Sequence, residues 1–143
     1  MENFDYSLVP YSFMHCIHAS CVHANDCLRY RVMQHATSDR ESLSIVNPAR
    51  IPGNGNKCRH FLADKKVQFA LGITHLLNNV PYNKALEIKR ELKSYLERST
   101  YYRIRNKERL IKPEEQNYIR QLFLRKGINE EPVFDAYIEQ YEW

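Results

Sequence analysis

The stretch that decides the fold lies at positions 83–97 and reads NKALEIKRELKSYLE. Its apolar residues Ala85, Ile88 and Leu92 recur at every third or fourth position, and charged residues fill most positions between them. This period places the apolar side chains on one face of an α-helix, which then needs a core to pack against. The segment therefore predicts a long amphipathic helix that begins after Asn83.

The segments on either side of this helix are less regular. Before it, Val67, Ala70 and Leu71 begin an apolar stripe at helical spacing, which predicts a helix over 65–78. After it, residues 101–111 hold two apolar runs around a polar centre at Asn106. Such a pattern is typical of a short β-hairpin.

Two further segments complete the second half of the chain. Pro113, followed by two glutamates, predicts the start of a helix that ends at Gly127. Residues 133–141 also have helical spacing. The order of helix, turn, helix and hairpin over 65–111 matches the second half of a winged helix.

The sequence as a whole predicts an α+β protein that is mainly helical. With 143 residues, 43% hydrophobic and 27% charged, it has the composition of a folded globular chain. We expect a cysteine-rich N-terminal module over 1–60, which includes a long loop at 37–57. A helical body with one hairpin and an acidic tail follows over 61–143, and we expect the two parts to form one compact unit.

The sequence carries no signal for a membrane or for export. No stretch reaches the 18 or more apolar residues that a membrane helix needs. Residues 1–5 read MENFD, which is acidic where a secretory signal would be basic. We therefore expect a cytoplasmic protein whose cysteines are reduced or bound to metal.

The four cysteines form the clearest candidate site. Cys16, Cys21 and Cys27 are spaced C-x4-C-x5-C, and Cys58 follows at the end of the long loop. Four soft ligands suit a tetrahedral Zn²⁺ site or an iron–sulfur cluster. The spacing is looser than the C-x2-C pairs of common zinc sites, so buried free thiols and a disulfide stay open as alternatives.

Histidines also lie near these cysteines. His15, His18, His23 and His60 are each within five residues of a cysteine, and His60 is an alternative ligand to Cys58. With all four positions filled by protein, a zinc site would stabilise the fold and leave no position for a substrate water.

The charge distribution suggests a second candidate site. From Lys84 to Lys126 the chain has thirteen Lys or Arg against six acidic residues, whereas from Gly127 onward it has five acidic residues and no Lys or Arg. In the predicted hairpin, alternation would place four cations on one face. These four candidates for contact with nucleic acid, or with an acidic protein surface, are Arg103, Arg105, Lys107 and Arg109.

No catalytic signature was found. The sequence has no G-x-S-x-G elbow, no Walker loop, no G-x-G-x-x-G and no H-E-x-x-H motif. We therefore predict a non-enzymatic binding or regulatory protein with a structural metal. An iron–sulfur or thiol redox protein, and a metal-free protein interaction module, are the alternatives.

Several short motifs together resemble a known family. They are FDY at 4–6, CIHASC at 16–21, CLRY at 27–30, KCRHF at 57–61, PEEQ at 113–116 and YEW at 141–143. With these motifs the chain resembles a small uncharacterised bacterial family with four cysteines, a domain of unknown function typical of gut Bacteroidetes. The resemblance spans nearly the whole chain. It implies an intracellular bacterial protein and no particular activity.

Overall fold

The fold was obtained as a computed structural model, which describes residues 3–143. Within this range the chain is a mainly helical α+β protein with four α-helices and a two-stranded antiparallel sheet, in agreement with the predicted class. In chain order the elements are α1 Leu28–Gln34, β1 Lys66–Leu71, α2 Tyr82–Leu96, α3 Arg98–Arg105, α4 Pro113–Arg125 and β2 Ala136–Tyr141.

The chain divides into two compact units. The N-terminal unit ends at Lys65 and also includes Tyr141–Trp143, and the C-terminal unit is Lys66–Gln140. The N-terminal unit contains α1 and two short 3-10 helices, Tyr6–Leu8 and Pro48–Arg50, whereas the other helices and β1 belong to the C-terminal unit.

The two helices with the strongest sequence signals are present. Helix α2 begins at Tyr82, two residues before the predicted start, and buries Ile88, Leu92 and Leu96 along one face. Helix α4 starts at Pro113, where the carboxylate of Glu115 accepts a hydrogen bond of 2.9 Å from the backbone N–H of Lys112. Such a bond satisfies a donor that the first turn of a helix otherwise leaves without a partner.

The prediction of a helix over 65–78 was wrong. Residues Lys66–Leu71 form β1, which pairs with β2 and also bridges to Ile111. Val67 and Phe69 favour a strand, and a run of six residues is too short for its period to decide between strand and helix. Gly72 ends the strand at a φ of 81°, a conformation that disfavours other residues.

The helix predicted over 133–141 was also wrong, because Ala136–Tyr141 form β2. This strand pairs with β1, and its first four residues are exposed. A helix here would have had no core on which to bury its apolar face. The buried apolar residue nearby is Phe134, which precedes the strand. Pairing with a strand some seventy residues earlier decides the conformation here.

The hairpin predicted over 101–111 is absent as well. Residues Arg98–Arg105 form α3, which buries Tyr101 and Ile104 at a spacing of three residues. A turn follows, and Ile111 exchanges two backbone hydrogen bonds with Ala70, of 2.8 and 3.0 Å. The winged-helix order was therefore wrong, since its first helix is a strand and its hairpin begins as a helix.

The N-terminal unit has a small core. Its buried apolar cluster consists of Tyr6, Val9, Phe13, Leu28 and Val32. The fully buried His15 lies beside this cluster, where Nε2 and the Tyr6 hydroxyl are 2.8 Å apart and Nδ1 is within 3.1 Å of two backbone carbonyls. His15 is thus a satisfied structural residue.

Among residues 3–143, no helix combines the length and the apolar character needed to cross a lipid bilayer.

Candidate metal centre

The four cysteines line one cavity of the N-terminal unit. They come from three separate segments: the loop after residue 15, the start of α1 and the turn that ends the long loop. All four are free thiols, Cys27 is buried, and the other three are partly buried. The alternative of a disulfide is therefore not found in this structure.

Consecutive backbone turns accommodate the wide spacing of the first three cysteines. The N–H groups of Cys21, Ala24 and Asp26 each donate to a carbonyl three residues earlier. This coiled loop delivers the chain to Cys27, the residue that precedes the first turn of α1. Cys27 also bridges to Ala63, which brings the segment after Cys58 alongside.

The turn at residues 52–58 carries Cys58 towards Cys21. The N–H of Gly55 donates to the carbonyl of Pro52, and the N–H of Cys58 donates to the carbonyl of Gly55. A bond of 2.9 Å from Val22 N–H to the carbonyl of Asn54 joins this turn to the cysteine loop. The far end of the long loop is therefore held against the cysteine cluster.

Gly55 makes the closest approach in the site. Its φ is 77°, and a Cβ atom built on it would overlap the Sγ atom of Cys21. A side chain at this position would be strained by the backbone and would also displace the thiol. Glycine is therefore required where the turn passes over Cys21.

The environment of Cys16 shows that the four thiols are electrostatic neighbours. Burial raises the pKa of the Cys16 thiol above its ordinary value, and the thiols of Cys27, Cys21 and Cys58 add to the increase. A hydrogen bond from the backbone N–H of His18 acts in the opposite direction and lowers that pKa. The backbone N–H of His23 lies 3.4 Å from the Sγ atom of Cys21 in the same way. Such N–H groups favour thiolates over thiols.

Three histidines line the cavity with the thiols. They are His60, which is the alternative ligand named from the sequence, His18 and His23. The Nε2 atom of His18 is buried and has no hydrogen-bond partner among the described residues. A buried nitrogen without a partner is costly, and it would be satisfied by a metal only in the alternative site with three cysteines and one histidine. The sequence places His18 only near the cysteines, because its burial depends on the loop geometry.

Arg29 supplies a positive charge at the cavity. Its guanidinium donates to the carbonyl of His60 at 2.8 Å and to that of Met14 at 3.0 Å, so it links the segments that precede Cys16 and follow Cys58. Four thiolates around a divalent ion carry an excess of negative charge. A guanidinium beside them offsets part of that excess.

The side chains around the cavity do not form a finished metal site. Within residues 3–143, no three His, Cys, Asp or Glu side chains are arranged so that they could hold a metal ion. Tetrahedral zinc ligands lie about 2.3 Å from the ion. The thiols would therefore have to move inward to share one ion, and their convergence on a metal stays a prediction.

The four cations predicted for nucleic-acid contact do not form one face. Arg109 makes two hydrogen bonds, of 2.9 and 3.0 Å, to the buried carboxylate of Glu115. Lys107 lies 3.4 Å from a carboxylate oxygen of Asp135. Arg103 and Arg105 lie on α3 and are exposed. The prediction that these four cations share one face of a β-hairpin was therefore wrong. Contact with nucleic acid stays a prediction.

Fold and site together define a mainly helical α+β protein whose four cysteines share one cavity. The chain belongs to a family described as "Family of unknown function (DUF6078)", whose model matches residues 1–143. The expected domain of unknown function is thereby confirmed, and bacterial origin stays a prediction. Comparison with curated proteins and with solved structures found no match.

Proposed function

We propose that the protein binds one structural zinc ion through Cys16, Cys21, Cys27 and Cys58 and acts as a non-enzymatic binding or regulatory protein. One observation carries the proposal: every cysteine of the chain lines the same cavity, although the four come from three segments. Buried free thiols used only for packing have no reason to collect at one point.

The donor set favours zinc over harder ions. Thiolate sulfur and imidazole nitrogen are the ligands that zinc prefers, whereas magnesium and calcium take oxygen. Among residues 3–143, no Asp or Glu lines the cavity. Thiolates also suit an iron–sulfur cluster, and the measurement below separates the two.

The small core of the N-terminal unit gives such an ion a physical role. A metal that draws the three segments together contributes its binding free energy to folding, because the unfolded chain holds no preformed site. With four protein ligands the ion has no open position for a substrate. We therefore assign it a stabilising role and no catalytic one.

Elemental analysis of the protein purified without a chelator tests this proposal. The expected result is about one zinc per chain, and replacement by Co²⁺ should give the absorption of tetrahedral thiolate coordination. Iron with acid-labile sulfide and visible colour would assign the iron–sulfur alternative instead. Protein that contains no metal, and that binds neither zinc nor cobalt when reduced, would contradict both and leave a metal-free interaction module.

Single substitutions identify the ligands. We expect Cys16→Ser, Cys21→Ser, Cys27→Ser and Cys58→Ser each to lower zinc affinity, whereas His18→Ala and His60→Ala should retain it. If His60→Ala or His18→Ala loses zinc and Cys58→Ser keeps it, the site is of the Cys3His type. Cobalt spectra of the variants give the number of thiolate ligands directly.

Two glycines in one turn provide a matched pair. A Cβ atom at Gly55 would overlap Cys21 Sγ, whereas a Cβ atom at Gly53 would meet nothing within 4 Å. We expect Gly55→Ala to weaken zinc binding and Gly53→Ala to leave it unchanged. Equal zinc affinity in the two variants would show that the contact of Gly55 with Cys21 does not shape the site.

A further inference from the structure

A second cluster of chemically active side chains lies in the C-terminal unit, at the corner between α2 and α3. Here Lys93 donates a hydrogen bond of 3.2 Å to the hydroxyl of Tyr102. The guanidinium groups of Arg98 and Arg105 lie 5.8 and 5.9 Å from the centre of the same ring. Three cations thus surround one partly exposed tyrosine.

A sharp turn between α2 and α3 brings these three cations together. A single residue, Glu97, separates the two helices, and its φ of 67° turns the chain sharply. The end of α2 and both ends of α3 therefore contribute to one corner. Tyr101 is buried beside Tyr102 and fixes the register of α3, so that Tyr102 points to the surface.

The cations of this cluster have no ion-pair partner. Lys93, Arg98 and Arg105 form no ion pair with any residue of the described chain. The carboxylate nearest in sequence belongs to Glu97, which is exposed at the corner but is not paired with any of them. The two carboxylates of α2, Glu87 and Glu91, are within 3.3 Å of the ammonium group of Lys126 on α4. Like charges held close together without a carboxylate repel one another, and an anion between them would relieve that repulsion.

The nearby positive charges change the pKa of the Tyr102 hydroxyl. The hydrogen bond and the charge of Lys93 hold the pKa of Tyr102 below its ordinary value, and Arg98 adds to the decrease. The charges that act on this hydroxyl are positive, as an anion site requires.

We propose that Lys93, Arg98, Tyr102 and Arg105 form a binding site for the phosphate group of a small phosphorylated molecule. Arginine donates to phosphate oxygens in pairs and lysine supplies a point charge, and a phenol hydroxyl can donate a further hydrogen bond. The three cations all lie within 5.1–5.9 Å of the centre of the Tyr102 ring, so their charge is confined to one corner of the unit. A phosphate monoester, which concentrates its negative charge on one group, fits this compact set better than the extended backbone of a nucleic acid.

The first test is a titration of the ¹⁵N-labelled full chain with inorganic phosphate at constant ionic strength. The expected result is saturable shifts of the amide signals around residues 93–105. Chloride at the same ionic strength should produce no saturable change. Shifts that do not saturate, or that chloride reproduces, would overturn the proposal and leave a diffuse positive surface.

Matched variants locate the site. We expect Arg98→Gln and Arg105→Gln each to weaken phosphate binding about tenfold, since each removes charge-assisted hydrogen bonds. Tyr102→Phe should weaken it by a smaller factor. Arg103→Gln is the control, because Arg103 is an exposed cation on the same helix and has no contact with the Tyr102 ring. Equal losses in the control and in the two test variants would contradict the assignment, and circular dichroism confirms that each variant is folded.

Phosphorylated oligonucleotides distinguish binding of a terminal phosphate group from binding along a nucleic-acid backbone. A short single-stranded oligonucleotide with a 5′-phosphate should bind more tightly than the same oligonucleotide without it, and Arg98→Gln should abolish the difference. Affinity that grows with length and does not depend on the terminal phosphate would show backbone binding and overturn the proposal.

Discussion

The two units of this protein are stabilised in different ways. The buried apolar cluster of the C-terminal unit has twelve members, from β1, three helices and the segments that connect the elements, whereas that of the N-terminal unit has five. The N-terminal unit also has a fully buried histidine and four free thiols, whereas most members of the core of the C-terminal unit are aliphatic. A region with a small core depends on specific polar contacts, and on metal if our proposal holds, while a region with a large core depends on packing.

Removal of metal should give the largest difference between the units. We expect Cys27→Ser, or a chelator, to abolish amide-exchange protection around α1 while α2 and α4 stay protected. The loss should be on the order of several kcal/mol, because apparent binding free energies of structural zinc reach about 10 kcal/mol or more. Hydrogen exchange followed by mass spectrometry measures both units in one experiment. Unchanged protection around α1 in the chelated protein would mean that the N-terminal unit is stable without metal.

The next effect concerns packing in the C-terminal unit. Leu122 on α4 is completely buried, so Leu122→Ala should lower the free energy of unfolding by about 2–5 kcal/mol. Leu124 on the same helix is 48% exposed, and Leu124→Ala should change it by less than about 0.5 kcal/mol. Urea denaturation measures both variants. Equal losses would contradict the burial of Leu122 and the exposure of Leu124 on α4.

A smaller effect is expected at the start of α4. Glu115 accepts two hydrogen bonds from Arg109 and one from the backbone of Lys112, and it is 8% exposed. Glu115→Gln should cost about 1–3 kcal/mol, because the partly buried guanidinium of Arg109 loses its counter-charge. Glu131→Gln is the control, since its ion pair with Arg120 is exposed and should contribute less than about 1 kcal/mol. The same denaturation measurement applies, and a control loss as large as that of Glu115→Gln would contradict the argument from burial.

The smallest effect depends on pH. Hydrogen bonds from Thr74 hold the pKa of Asp135 below its ordinary value of 3.8, and Lys107 adds to the decrease. A lowered pKa in the folded state stabilises the protein above 3.8, and this stabilisation is lost as the pH falls through the folded-state value. Asp135→Asn should therefore cost about 1 kcal/mol at neutral pH and progressively less in acid. Denaturation of parent and variant at several pH values checks this, and a constant difference at all pH values would contradict it.

The spacing of apolar residues and the residues at the ends of a segment predict helices correctly where no distant pairing competes with them. The apolar spacing predicts α2, and in α4 the apolar spacing agrees with Pro113 at the start and Gly127 beyond the end; both helices are present. In Lys66–Leu71 the apolar residues fit a strand and a helix equally well, and pairing with a distant segment decides the outcome. For α3, the buried pair Tyr101 and Ile104 was a helical signal outweighed by the polar turn at 106.

The candidate site shows the same limit. The number and clustering of the cysteines direct attention to the right part of the chain, because chemistry restricts what four soft ligands can do together. The buried nitrogen of His18 and the passage of Gly55 over Cys21 depend on how distant segments meet. The cation cluster around Tyr102 was missed because two of its members, Lys93 and Arg98, lie outside the predicted hairpin.

The bond from Val22 to Asn54 closes a loop of the chain, and its consequence concerns tolerance to insertion. The entropy of closing a flexible loop grows only with the logarithm of its length, so that doubling the length costs about 0.6 kcal/mol. Extra residues at the exposed positions Glu41 and Ser42 would lengthen this closed loop at little cost. From Pro52 onward, an insertion would break the bond from Gly55 to Pro52 or the bond from Cys58 to Gly55, and so the turn that places the last cysteine. The long loop can therefore vary in length in its exposed part but not in the turn that carries Cys58.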